Sequence, residues 1–196
     1  MVILGLTGSI GMGKTVAAGM FRRLGVPIHD ADAFVHKALA QNPDVIGQVE
    51  NLFAGVVVNG EIDRNALGAR VFGDDQAMTA LEAILHPAVR RDELAFLHRA
   101  KCRRERLVVL DIPLLFETAA DLECDFTAVV TAPPCVQRHR VLRRPGMTPE
   151  KLKNILARQM HDGEKTRRAD FIIRSGQGRY AALREVRRIV TLLRHL

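Results

Sequence analysis

Aromatic residues are scarce in this sequence of 196 residues: tryptophan is absent, tyrosine occurs once, and aromatic side chains make up 5% of the chain. Proteins that bind single-stranded nucleic acid commonly stack bases on aromatic side chains. We therefore expect no nucleic acid partner, although the net charge is +7. That charge also suits an enzyme of polyanionic substrates, or it belongs to solvated helix surfaces.

Cysteine is also rare. Cys102, Cys124 and Cys135 are widely spaced, and no two form a CxxC pair of the kind that binds zinc. We expect free thiols in a reducing compartment. No apolar run approaches the ~20 residues of a membrane-spanning helix, and the first residues lack the basic start of a signal peptide. The sequence therefore predicts a cytoplasmic protein without a membrane partner.

The first 30 residues have the pattern of a parallel α/β sheet. Val2 to Leu6 is a short apolar run typical of a buried strand. A glycine-rich segment follows, then apolar residues at helical spacing as far as Leu24, with Gly25 where a helix would end. Val26 to Ile28 is predicted as a second strand. Strand, glycine loop, helix and strand in this order indicate an α/β fold.

The segment from Ala33 to about Arg104 is predicted to be mostly helical. Three dipeptides are predicted to break it: Asn42-Pro43, Asn59-Gly60 and His86-Pro87. A segment of this length is too long for a simple crossover between strands. We therefore interpret it as a helical insertion that could bind substrate.

The rest of the chain returns to the α/β pattern. An arginine-rich pair of helices broken at Pro145-Gly146 is predicted between Val136 and Ile155. An amphipathic helix is predicted from Tyr180 to Leu193. Three further strands are predicted, at Leu107–Asp111, Phe126–Thr131 and Phe171–Ile173.

Residues Gly8 to Thr15 fit the P-loop pattern G-x-x-x-x-G-K-[ST], between a predicted strand and a predicted helix. In such a loop the backbone N–H groups and the helix N-terminus bind phosphate oxygens. Lys14 would neutralise the β- and γ-phosphates of ATP, and the Thr15 hydroxyl would bind Mg²⁺. A chance glycine turn is the alternative, but the flanking strand and helix disfavour it.

Asp111 ends a predicted strand, as the Mg²⁺-binding carboxylate of P-loop enzymes does. A structural carboxylate at a strand end is the alternative. The next residue is Ile112, whereas mechanical ATPases commonly have a water-activating Glu there. The N-K-x-D pattern that reads guanine is absent from the sequence. A hydrolytic motor and a GTPase are therefore both disfavoured.

A second carboxylate follows the second predicted strand. Parallel strands end at one edge of a sheet, so Asp32 should lie at the edge that carries the P-loop. There it could accept the proton of an attacking hydroxyl. Asp30 is an alternative base, and a third possibility is that the two residues only cap the next helix.

Arginines form a third group of candidates. Arg140 and Arg143 share a helix face at a spacing of three residues, with Arg144 beside them. Arginine stabilises the charge that develops during phosphoryl transfer, and a mobile helix pair that carries such residues could close as a lid. A solvated basic face is the alternative for each of them.

Several blocks of the sequence resemble those of dephospho-CoA kinases from end to end. The P-loop block alone is general, whereas the blocks Leu81–Val89 and Asp111–Glu117 are more specific. The blocks that carry the resemblance are Gly5–Thr15, His29–Asp32, Asp63–Phe72, Leu81–Val89, Val108–Glu117, Gln137–Arg143 and Arg158–Ile173.

The resemblance implies transfer of the ATP γ-phosphate to the ribose 3′-hydroxyl of dephospho-CoA, the last step of coenzyme A synthesis. It implies a three-layer P-loop kinase fold with a five-stranded parallel sheet, a helical substrate-binding insertion and a helical lid. The core would comprise residues 1–32, 105–135 and 169–196, the substrate domain residues 33–104 and the lid residues 136–168. The oligomeric state is not implied.

The resemblance also implies roles for individual residues. The implied catalytic residues are Asp32, Lys14 and Arg140. Of these, Asp32 would be the general base. The implied nucleotide-binding residues are Gly8, Gly11, Met12, Gly13, Lys14, Thr15, Val16, Arg140 and Arg143. Thr15 and Asp111 would hold Mg²⁺, and ATP would be the phosphate donor.

The sequence departs from the family pattern at a few positions. Ser9 and Met12 replace residues that are often Gly and Ser, which is tolerable if the backbone angles there are ordinary. Val16 replaces a hydroxyl residue that could contact the α-phosphate. Arg174-Ser175 replaces a pair that is usually Asp-Asn-like, which puts an adenine contact there in doubt. His86 is predicted to be a helix-entry or substrate-side residue.

Two other functions remain open at this point. One is another small-metabolite or nucleoside monophosphate kinase with the same fold. The other is a basic ATPase stimulated by nucleic acid, whose binding would weaken steeply with salt. Glu117 also has two interpretations, a neighbour of the magnesium site or a solvated helix start.

Overall fold

A computed structural model of the chain describes residues 1–71 and 73–196. The last residue of the Asp63–Phe72 block therefore lies outside the described residues. The described chain forms two compact units, Met1–His29 with Ala100–Leu196 and Asp30–Arg99. The predicted division into core, substrate domain and lid remains a prediction.

Among the described residues, five strands form one sheet in the order β2-β5-β1-β6-β7, and two short strands pair separately. The sheet strands are β1 (Val2–Thr7), β2 (Ile28–Asp30), β5 (Leu107–Asp111), β6 (Phe126–Thr131) and β7 (Phe171–Arg174). The other two strands are β3 (Val57–Val58) and β4 (Glu61–Ile62). The helices are α1 (Lys14–Arg23), α2 (Ala31–Gln41), α3 (Pro43–Leu52), α4 (Arg64–Val71), α5 (Asp75–Cys102), α6 (Pro134–Leu142), α7 (Pro149–Ala157), α8 (Asp162–Arg168) and α9 (Arg179–Arg194).

Strand β1 pairs in parallel with β5 on one side and β6 on the other, and β6 pairs in parallel with β7. This confirms the predicted α/β fold with a five-stranded parallel sheet. Alternate residues of β1 and β5 pack with α1 and α9 in one apolar core. Strand β5 is buried along its whole length, as strands covered on both faces are. The sheet therefore holds the end of β1 rigidly.

The second unit has its own apolar core, built from α2, α3, α4, the first half of α5 and the β3–β4 pair. Asn42 caps α3 with its side chain, as a break at Asn42-Pro43 predicts. Asn59 and Gly60 have φ angles of 54° and 83° and form the tight turn between β3 and β4. The segment is mostly helical, as predicted, and the predicted break at Asn59-Gly60 is the turn of a short two-stranded hairpin.

Two predictions of local structure are wrong, and one helix was missed. Helix α5 continues through Pro87, so His86-Pro87 is no break and His86 is an exposed residue inside a helix. Strand β2 begins at Ile28, because the Val26 N–H still donates to the Phe21 carbonyl at the end of α1 and Pro27 has no N–H. Helix α8 was not predicted.

Two further facts concern the whole described chain. None of its helices combines the length and the apolar character that a membrane span needs. The three cysteines are free thiols.

Candidate active site

The loop of residues 8–15 joins β1 to α1, as its sequence predicts. Gly11 and Gly13 have φ angles of 77° and 96°, a region that favours glycine. Ser9 and Met12 are not among the residues with positive φ. Their backbone angles are therefore compatible with side chains, and these two departures from the family pattern do not strain the loop.

Neighbouring elements fix the shape of this loop by close contact. A Cβ atom on Gly8 would lie 2.7 Å from the Val130 carbonyl oxygen in β6. A Cβ atom on Gly11 would lie 2.5 Å from a methyl carbon of Val141 in α6. Glycine is therefore required at both positions by space, and at Gly11 by backbone conformation as well.

The loop presents backbone donors that have no other use. The N–H groups of Gly11, Gly13, Lys14 and Thr15 make no hydrogen bond to any residue in the described part of the chain. The last two belong to the first turn of α1, where N–H groups have no partner within the helix. Unpaired N–H groups at a helix N-terminus suit phosphate oxygens. The Met12 N–H, in contrast, donates to the Ser9 carbonyl within the loop.

Lys14 and Asp111 form an ion pair beside this loop. Lys14 Nζ lies 2.6 Å from Asp111 Oδ1, and the side chains are 15% and 3% exposed. The pairing of β1 with β5 sets Asp111 opposite Leu6, two residues before the loop begins. A nearly buried carboxylate requires such a partner, so the pair is a fixed part of the site.

The donor set at this point suits Mg²⁺. Thr15 is an exposed residue and the Asp111 carboxylate lies next to Lys14, and Mg²⁺ prefers oxygen ligands. The described residues contain no group of three or more His, Cys, Asp or Glu side chains that could hold a metal ion. One carboxylate and one hydroxyl match a site that Mg²⁺ shares with substrate phosphates and water.

Arg140 is held against the P-loop. Its guanidinium donates to the Gly11 carbonyl at 3.4 Å, and to the hydroxyl and carbonyl oxygens of Ser175 at 2.9 Å each. The Ser175 hydroxyl donates in turn to the Met12 carbonyl. Ser175, which departs from the family pattern, therefore contacts the loop. Arg143 differs from Arg140: it is exposed just beyond the end of α6.

The two candidate bases have different local environments in the second unit. The Asp30 carboxylate caps α2 by accepting the Ala33 N–H at 3.0 Å, so the capping interpretation holds for Asp30. Asp32 lies in the first turn of α2 and is exposed. Within the described residues its carboxylate has no hydrogen bond or ion pair. The sheet-edge position predicted for Asp32 remains a prediction.

Glu117 belongs to an ion pair. Its Oε1 lies 2.8 Å from Nζ of the fully buried Lys165 and accepts the Met160 N–H at 2.9 Å. Burial alone would raise the pKa of Glu117, but the ion pair with Lys165 together with backbone N–H groups, Met160 among them, outweighs burial and lowers the pKa below its ordinary value of 4.5. Neither interpretation of Glu117 from the sequence included this partner.

Four residues that bond to the P-loop or to Glu117 received no such role from the sequence: Gln137, Gln159, Lys165 and Ser175. The first two hydrogen-bond the Ile10 backbone. Three of the four lie within the blocks Gln137–Arg143 and Arg158–Ile173 that carry the family resemblance. The family resemblance of these two blocks was the only signal in the sequence that marked the three residues, and it did not indicate what they contact.

The family model that matches this chain and two similar proteins all concern dephospho-CoA kinases. The model of the dephospho-CoA kinase family matches residues 2–179. A dephospho-CoA kinase of Mesorhizobium japonicum is 55% identical over 99% of this chain and 98% of its own length. One from Paramagnetospirillum magneticum is 59% identical over 84% of this chain and 78% of its own length.

Solved structures have the same fold. A crystal structure from Thermus thermophilus superposes with a TM-score of 0.85 at 34% identity, covering 97% of this chain and 96% of that one. A dephospho-CoA kinase from Campylobacter jejuni has a TM-score of 0.67 at 24% identity, covering 97% and 96%. The second likeness concerns the fold alone. With the family model matched over residues 2–179, this chain belongs to the dephospho-CoA kinase family.

Proposed function

We propose that this chain transfers the γ-phosphate of ATP to the ribose 3′-hydroxyl of dephospho-CoA. The bond between the γ-phosphorus and the β–γ bridging oxygen breaks, a bond to the 3′-oxygen forms, and ADP leaves. The observation that carries the proposal is the P-loop with four unpaired N–H groups beside the Lys14–Asp111 pair, in a chain of this family.

The first unit would bind ATP. The backbone N–H groups of Gly11, Gly13, Lys14 and Thr15 bind phosphate oxygens, with Gly8 allowing the loop to pass close to β6. Lys14 Nζ neutralises phosphate charge in the transition state. Thr15 and Asp111 would hold Mg²⁺, which when bound supplies further neutralisation of phosphate charge. The N–H groups of Met12 and Val16 donate to the Ser9 and Gly13 carbonyls, so these two residues would lie beside the nucleotide without donating a backbone hydrogen bond to it.

Asp32 would act as general base by accepting the proton of the 3′-hydroxyl. The proposal is supported by an exposed carboxylate without a competing partner among the described residues. Asp30 is a weaker candidate because its carboxylate already caps α2. A positioned base typically contributes about 10²- to 10⁴-fold to the rate.

Arg140 and Arg143 would serve the nucleotide side. Arg140 is close enough to the P-loop to respond to a bound phosphate, and Arg143 is exposed and could approach when residues 136–168 close over ATP. Closure would exclude water and so prevent ATP hydrolysis. Free thiols are consistent with a cytoplasmic location.

The test is ADP release with Mg-ATP, with and without dephospho-CoA, for the parent and for Asp32→Asn. We expect turnover that depends on dephospho-CoA. In Asp32→Asn we expect it to fall by about 10²-fold or more, with ATP affinity unchanged. Turnover that needs a nucleoside monophosphate, or that DNA or RNA stimulates, would replace the proposal with one of the alternatives.

Asp30→Asn is a matched control. Asparagine also caps helices, so this variant should keep α2 intact while it removes the same charge two residues away. We expect it to remain folded, as a thermal melt would check, and to retain most of the activity. If Asp30→Asn is inactive and Asp32→Asn is active, the base is Asp30.

A further inference from the structure

The peptide groups of Ile10, in the middle of the P-loop, are held by two glutamine side chains. The Ile10 N–H donates to Gln159 Oε1 at 3.1 Å, and the Ile10 carbonyl accepts from Gln137 Nε2 at 2.9 Å. These glutamines are far from the loop in sequence. Both polar groups of one loop residue are therefore satisfied by side chains from outside the loop.

The two glutamines come from separate helical segments. Gln137 lies in α6 and is 7% exposed, whereas Gln159 follows the end of α7 by two residues. Helix α6 also packs on the loop directly, because a Cβ atom on Gly11 would lie 3.2 Å from the Gln137 carbonyl oxygen. The segment predicted to be the lid is thus bonded to the P-loop near its start and again beyond α7.

A buried ion pair fixes the position of Gln159. The neighbouring Met160 N–H donates to Glu117 Oε1, and Glu117 pairs with Lys165, which is fully buried. Glu117 lies six residues after the end of β5. Two adjacent residues therefore hold this part of the chain by hydrogen bonds. Met160 bonds to Glu117, and the Gln159 side chain bonds to the P-loop.

We propose that Gln137 and Gln159 are positioning residues that hold the P-loop in its phosphate-binding shape and link α6 and the end of α7 to it. The proposal rests on the proposed function, in which the loop binds ATP phosphates. The unpaired N–H groups begin at Gly11, the residue after Ile10, so their direction depends on the Ile10 peptide groups. A preformed loop spares the bound state the cost of ordering it.

Substitution of glutamine by glutamate, made separately at Gln137 and at Gln159, tests both residues with the same change of charge. Glutamate has two acceptor oxygens and no N–H donor. Gln159→Glu therefore keeps the hydrogen bond from the Ile10 N–H. Gln137→Glu loses the hydrogen bond and sets a carboxylate against the Ile10 carbonyl. We expect weaker ATP binding in Gln137→Glu by roughly fivefold or more, and a smaller change in Gln159→Glu.

The measurement is the Kd for ATP by calorimetry on the full chain, with KM for dephospho-CoA and a thermal melt for each variant. Gln159→Leu is added as a third variant. Because Gln159 is less buried than Gln137, a substitution there is less of a risk to folding. It removes the acceptor without adding charge, and its ATP affinity should fall by roughly fivefold. KM for dephospho-CoA should stay unchanged in all variants.

A second readout does not depend on activity. Hydrogen exchange of the Ile10 amide, followed by NMR, should be slow in the parent and in Gln159→Glu, and fast in Gln159→Leu. Equal ATP affinity and equal Ile10 protection in the parent and Gln159→Leu would overturn the positioning role, as would lower stability without any change in ATP affinity.

Failure of the proposed function can be distinguished from failure of the positioning role. A parent that binds ATP but does not turn over with dephospho-CoA overturns the assigned acceptor and leaves the positioning role supported if the ATP affinities differ as expected. A parent that does not bind ATP overturns both.

Discussion

Lys14 has two partners in this enzyme, the Asp111 carboxylate that it contacts now and the phosphates that it is proposed to bind. Asp111 is almost fully buried, so removal of Lys14 takes the ion pair with Lys14 away from a buried charge. Such a loss typically costs about 3–5 kcal/mol. We expect Lys14→Met to lose activity and also to unfold at a lower urea concentration than the parent in the absence of any ligand.

The double variant Lys14→Met with Asp111→Asn separates these two effects. It removes both charges, so most of the lost stability should return. Activity should not return, because the Lys14 ammonium that would bind the phosphates is still missing. If Lys14→Met is as stable as the parent, then the ion pair does not stabilise the free enzyme.

Glu117 gives a prediction for pH. Its pKa in the folded chain is lowered from 4.5, so the charged form stabilises the fold. That stabilisation is complete above 4.5 and is lost as the pH falls through the lower folded pKa. We expect the difference in melting temperature between the parent and Glu117→Gln to be constant from pH 7 to about pH 5, and to shrink below pH 4.5. A difference that grows on acidification would contradict it.

At the scale of elements, helix α5 carries a proline in its interior. Pro87 cannot donate an N–H to the Ala83 carbonyl, and the helix continues nevertheless. An interior proline costs about 3 kcal/mol relative to alanine in model helices. We expect Pro87→Ala to raise the free energy of unfolding by about 1 kcal/mol or more, as measured by urea denaturation. Asp75→Glu, at the start of the same helix, serves as a control that should change little.

The elements that the sequence predicted well are those with local causes. Residues Val2 to Leu6 and Leu107 to Asp111 are apolar and partly β-branched, and Gly8 to Thr15 has a fixed pattern, so strand, loop and helix follow from neighbouring residues. Pro87 was misread for the same reason. A proline normally ends a helix locally, whereas Leu81 and Ala88, on either side of Pro87, both pack in the core of the second unit.

Contacts between distant segments could not be predicted in this way. Gln137 and Gln159 reach Ile10 across 127 and 149 positions of sequence, and Lys165 reaches Glu117 across 48. Neither a glutamine in a helix nor a lysine in an arginine-rich stretch has a local pattern that distinguishes it from a surface residue. Their contacts form only when the fold brings these distant segments together.

For the molecule as a whole, the net charge of +7 should act on the substrates. ATP and dephospho-CoA are both polyanions, and a positive field raises their encounter rate with the enzyme. Salt screens this field, with a Debye length of about 10 Å at 0.1 M. We therefore expect kcat/KM for both substrates to fall several-fold between about 0.05 and 0.3 M salt, while kcat changes little.

The same salt series separates this use of charge from nucleic acid binding. A nucleic-acid-stimulated ATPase would lose its stimulation steeply with salt, whereas here added DNA or RNA should leave turnover unchanged at each salt concentration. Charge reversal at Arg187 and Arg188, exposed in α9, should lower the net charge and weaken the salt dependence with kcat preserved, because the field sums over the whole surface. A salt dependence that is unchanged in this variant would locate the effect in the phosphate-binding residues alone.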